Sequence, residues 1–118
     1  MTPSCWYSLI KVAPDEVGGD TLSIGIVAVD DATGATAMRF VTDWSRAEAF
    51  LESEVPFARE FADALRRNEP PVTLEQMREW SRDFQNALRV TWPSEASVTV
   101  DQWVREFGDL FVRGLEAA

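Results

Sequence analysis

The stretch YSLIKVAPDEVGGDTLSIGIV, Tyr7 to Val27, sets two apolar runs around a loop carrying Pro14, Asp15 and the Gly18-Gly19 pair. It constrains the fold more than any other part of the chain. The first run, about Ser4 to Ala13, has apolar residues on both faces, which predicts a strand internal to a sheet, ended by Pro14. In the second, Thr21 to Val29, Leu22, Ile24, Ile26 and Ala28 fall on one face and Ser23 and Gly25 on the other. Asp30 to Gly34 then reads as a hairpin loop, with Asp suited to the turn and Gly34 supplying positive φ. A third strand is expected over Ala35 to Val41, with Met38 and Phe40 facing away from Arg39.

Helix starts are well marked. Ser45 with Glu48, Thr73 with Gln76 and Thr99 with Gln102 each match a capping box, in which the hydroxyl accepts from a free backbone N–H and the longer side chain reaches back. The first helix should reach about Ser53, with Pro56 opening a second segment that carries Phe57, Phe61 and Leu65. NEPP, Asn68 to Pro71, separates these from a helix burying Leu74, Met77, Trp80 or Ser81, Phe84 and Leu88. Leu88, Val90 and Trp92 then alternate with Arg89 and Thr91 as a short strand closed by Pro93. The last helix presents Val100, Trp103, Val104, Phe107, Leu110 and Phe111 as one apolar stripe. The order β-β-β-α-α-β-α predicts an α+β fold, a small antiparallel sheet with helices packed on one face, in a single domain spanning residues 1–118.

Composition narrows the function classes. The chain has no His, which excludes Ser–His–Asp and Cys–His catalysis and deprives a zinc site of its usual nitrogen ligands. Its glycines match neither GxGxxG nor GxxxxGK[ST]. A net charge of −9 argues against direct nucleic-acid or anionic-membrane binding, and no apolar run is long enough to span a bilayer. Cys5 is the only cysteine, so no disulfide forms within the chain, and a reducing cytoplasm is the simplest setting; a small apolar residue or a reactive thiol are its two readings. No cofactor and no metal are implied.

The candidate binding residues are Lys11, Asp15, Asp20, Ser23, Gly25, Arg39 and Trp44. Lys11, the only lysine, either holds an acidic group or covers the sheet with its stem. Ser23 and Gly25 either leave a shallow groove or admit a closely packed neighbour. Trp44 is a core anchor or a recognition platform. Asp15, Glu16, Asp20, Asp30 and Asp31 serve turns or gather around a hard cation.

The opening segment, with RFVTDW at Arg39 to Trp44 and TWP at Thr91 to Pro93, resembles the domain-of-unknown-function 3037 family of bacterial proteins. Gly18 and Ser23 stand where that family's pattern carries Arg and Asn. Some of its genes lie beside those for HipA-type kinases, so the resemblance implies a partner or regulator in such a locus. The expected function is a small acidic, non-catalytic protein-interaction module with a protein partner. The competing readings are an acidic inhibitor imitating nucleic acid and an enzyme working through carboxylates.

Overall fold

The computed structural model describes residues 3–12, 22–42, 63, 67, 70–84 and 88–116. The fold is α+β. Among the described residues the strands are β1 (Cys5–Val12), β2 (Leu22–Val29), β3 (Thr36–Phe40), β4 (Leu88–Val90) and β5 (Ser94–Ala96). All pairings are antiparallel, in the spatial order β3-β2-β1-β4, with β5 also on β1. Helix α1 (Leu74–Asp83) precedes β4. After β5 come α2 (Val100–Gln102), a π-helical turn (Trp103–Phe107) and α3 (Gly108–Phe111), joined without a break into one last helical segment.

β1 is internal, as its two apolar faces predict: β2 flanks one side, β4 and β5 the other. The hairpin between β2 and β3 closes by local chemistry. Asp30 Oδ1 accepts from the N–H groups of Ala32 and Thr33, the Gly34 N–H donates to the Asp30 carbonyl, and Gly34 sits at φ 79°. Asp31 Oδ1 accepts from Leu74 N–H and so ties this loop to the start of α1. Thr73 accepts from Gln76 N–H, while the Gln76 side chain reaches back one residue further than a capping box requires, to Val72 N–H. At α2, Thr99 accepts from Gln102 N–H, but the Gln102 side chain turns forward to Glu106.

Three irregularities depart from the sequence reading. The register of β1 on β2 shifts between Ile10 and Lys11: Ile10 faces Gly25 while Lys11 faces Ser23, leaving Ile24 as an extra residue. Adjacent pairs in a ladder point to opposite faces, so Ser23 and Gly25 lie on opposite faces and not together as their spacing predicts. Next, β4 does not finish the edge at Pro93. The chain resumes as β5, and Thr91, Trp92 and Pro93 span the gap opposite Ser8 and Leu9 of β1. Thr91 bridges the interruption: its N–H donates to the Leu9 carbonyl and its Oγ1 accepts from Leu9 N–H.

The π turn is the third. Gly108 N–H donates to the Trp103 carbonyl, five residues back, which widens one turn and advances every later side chain relative to a 3.6-residue count. Leu110 and Phe111, expected in the buried stripe, are therefore 76% and 48% exposed, whereas Gly108 and Val112 face the core. Tyr7 stacks on Trp103 with ring centroids 4.3 Å apart, so this segment covers the sheet face shared by Tyr7, Ile26 and Arg39. Ile24 to Val29 are buried throughout, the environment of a strand covered on both faces.

The helices expected between Ser45 and Leu65 lie outside the described residues, except that Asp63 and Arg67 are helical and exposed.

Candidate functional site

The strand register sets a cluster of polar and aromatic groups at the β4 edge of the sheet. Lys11 on β1 pairs with Arg89 on β4 on one side and with Ser23 on β2 on the other. Beyond Arg89 the strand is released from regular pairing at Thr91, and Trp92 turns outward to 57% exposure. α1 supplies the opposite wall. Its last turn is fixed to the strand by Ser81 Oγ, 2.8 Å from the Thr91 carbonyl, and by Val90 N–H donating to the Phe84 carbonyl. Lys11, Ser81, Phe84, Arg89, Val90, Thr91 and Trp92 together line a pocket of about 430 Å³.

Lys11 and Arg89 place two cationic side chains on the pocket lining, and Arg78, itself paired with Glu75, lies 5.9 Å from the Trp92 ring centroid. Half-buried cations beside an exposed indole and an aliphatic floor suit a ligand that joins a carboxylate or phosphate to an apolar body. The Ser81 hydroxyl is directed at main-chain carbonyls of Met77 and Thr91, which makes it a brace between helix and strand.

Of the residues singled out in the sequence, Lys11 and Ser23 come together, and Gly25 and Arg39 do not join them. A Cβ at Gly25 would stand 2.8 Å from Phe40 Cδ1 and 2.9 Å from the Arg39 carbonyl oxygen, so that space is filled by a neighbour and is no groove. Arg39 is 6% exposed and points inward. Its Nε donates to the Glu116 carbonyl at 2.8 Å, one terminal nitrogen donates to the Val104 carbonyl inside the π turn, and the other lies 3.3 Å from Asp109 Oδ1. Its guanidinium staples β3 to the last helical segment. Asp15, Asp20 and Trp44 lie outside the described residues.

Asp30 accepts from N–H groups of its own turn, one of the two readings given for it, whereas Asp31 accepts from Leu74 N–H at the start of α1. Cys5 is buried, and desolvation followed by the nearby Asp30 charge pushes its thiol from 9.0 up to about 11, unfavourable for a thiolate nucleophile. Arg89, Trp92 and Arg78 escaped the sequence reading because their neighbourhood depends on which strand lies beside β1. The local signal for Trp92 was Pro93, which has no N–H to donate to a ladder. Among the described residues, no helix is long and apolar enough to cross a membrane. No family model, curated protein or solved structure matches the chain.

Proposed function

We propose that the protein is a small acidic interaction module that docks an acidic, partly apolar segment of a protein partner in the Lys11, Arg89 and Trp92 pocket, without catalysing a reaction on it. The observation that carries this reading is the pairing of Lys11 with Arg89 beside a largely exposed Trp92 in a chain of net charge −9. An exposed tryptophan backed by cations is the composition of an interface anchor. Long-range repulsion from the rest of the chain would favour partners whose acidic group is confined to one short segment.

The alternative of a nucleic-acid mimic is disfavoured by arginines interleaved among the acids. Glu75 pairs with Arg78 and Arg82, and Asp101 with Arg105, which breaks up any row of phosphate-like charges. The resemblance to a family with kinase neighbours gains no family-model match, so the partner is defined here by its chemistry alone.

A blocked peptide with two glutamates flanking a tryptophan is a suitable probe. Titration followed by amide NMR should move the resonances of Lys11, Arg89, Thr91 and Trp92, and Lys11→Glu or Trp92→Ala should abolish the shifts. Unchanged spectra at millimolar peptide, or shifts confined to another surface, would reject the reading.

A further inference from the structure

We infer that the strap 113–116, which follows the last helical segment, is exchangeable between two copies of this chain, each copy's strap closing the β3 edge of the other. In the structure the strap lies against the end of β3 through an antiparallel bridge between Val41 and Leu115. Glu116 N–H donates to the Phe40 carbonyl and Thr42 N–H to the Gly114 carbonyl. Arg39 Nε adds a bond to the Glu116 carbonyl, and Phe40 N–H donates to Glu116 Oε1 at 3.2 Å.

Main-chain bonds, side-chain bonds through Arg39, Thr42 and Glu116, and the packing of Leu115 against the core hold the strap, and all of these are the same whether the strap belongs to the same chain or to another. Arg39 stays in place when the strap leaves, because it also donates to the Val104 carbonyl. The connection is suited to reopening. Arg113 and Gly114 are exposed, Gly114 has φ 75°, and a Cβ there would meet nothing within 4 Å. Val112, 3% exposed, pins the segment before this hinge.

Two observations favour a second copy as occupant. The sequence already shown to fit the β3 edge is this chain's own, so an identical strap satisfies every bond at no new design cost. Leu110, 76% exposed, and the outer edge of Phe111, whose ring also packs on Tyr7 and Trp103, sit directly before the hinge, where two copies exchanging straps would bring these apolar surfaces together. The β3 edge lies across the sheet from β4, so this inference does not depend on the pocket reading.

The bonding pattern supplies the test. Val41 and Leu115 form a non-hydrogen-bonded pair, whose Cα atoms stand about 4.5 Å apart, within the span of a disulfide. In a Cys5→Ala background, one preparation carries Val41→Cys and an isotopically heavy second one Leu115→Cys. Mixed, opened in urea, refolded together and oxidised, they should give a light–heavy disulfide dimer in several-fold excess over either homodimer. A chain carrying both substitutions should close the same bond internally when dilute and between chains when concentrated. Sedimentation of the unmodified chain should show a dimer growing from micromolar to millimolar concentration and lost in Leu115→Asp. A monomer throughout, or heterodimer no more abundant than homodimers, overturns the inference.

Discussion

Gly108→Ala separates two effects that act in opposite directions. A glycine inside a helix costs about 1 kcal/mol relative to alanine, so backbone propensity alone predicts that the substitution stabilises the protein by that amount. The packing predicts the reverse. A Cβ at position 108 would overlap Cδ1 of Ile26, and Ile26 is fully buried on the central strand β2. The obstructing atom is the end of a side chain, yet it can yield only by turning into space already occupied by the core. Forcing a methyl group into such a site costs roughly 2–3 kcal/mol, which leaves a net loss of about 1–2 kcal/mol after the propensity gain. In a thermal melt that is a fall of several degrees, at roughly 4 °C per kcal/mol for a chain of this size. Ile26→Val removes the obstructing atom and alone should cost about 1 kcal/mol. In the double variant the overlap is gone and the alanine gain returns, so the cycle should show a favourable coupling of about 2 kcal/mol. An unchanged or raised melting temperature for Gly108→Ala, or additive effects in the double variant, would refute close helix-to-sheet contact as the reason glycine stands there.

Other substitutions test the remaining contacts. Arg39→Met leaves the Val104 and Glu116 carbonyls without their donors and should cost about 3 kcal/mol in urea unfolding, whereas Asp109→Asn, at a partner 55% exposed, should cost under about 1 kcal/mol. Equal losses would make the ion pair, and not the carbonyl contacts, the important part. Thr91→Val keeps the shape but strips the acceptor from Leu9 N–H, so a loss of about 1–3 kcal/mol is expected, and a neutral result would mean that β1 does not rely on it. The Cys5 thiol is raised in the folded state, so its contribution is complete below the unfolded value of 9.0 and is lost as pH rises through about 11. The stability of the native protein relative to Cys5→Ala should fall over that interval, and Ellman's reagent should label Cys5 only after denaturant is added.

The parts of the fold that were legible in the sequence are those decided within a few residues. The Asp30 to Gly34 loop is closed by its own side chains and by one positive φ, and Thr73 and Thr99 each cap a helix from three residues away. What escaped is set by partners distant in sequence. Nothing near Ile24 announces an extra residue, because the register shift exists only relative to β1. Pro93 was a sound reason to end β4, yet Thr91 supplies both a donor and an acceptor to Leu9, and the edge continues as β5. The stripe through Phe111 assumed a constant 3.6-residue turn, and one widened turn was enough to expose its last two members.

The same distinction explains which site residues could be found. Lys11 was visible because it is the only lysine, a property of composition, whereas its pairing with Arg89 is a property of register. Arg39 drew notice for the charge it carries in a strand, but its environment comes from Val104 and Glu116, 65 and 77 residues away, and these turn it inward. The two arginines therefore part company for a reason no local pattern encodes. Arg39 lies on β3 under the last helical segment, where main-chain carbonyls receive it, while Arg89 lies on β4, where the released strand leaves a pocket beside Trp92. Strand order converts two similar side chains into a staple and a pocket-lining group. Any rearrangement that moved β4 away from β1 would disperse the pocket yet spare the Arg39 contacts, so pocket binding and strap closure should respond independently to mutation.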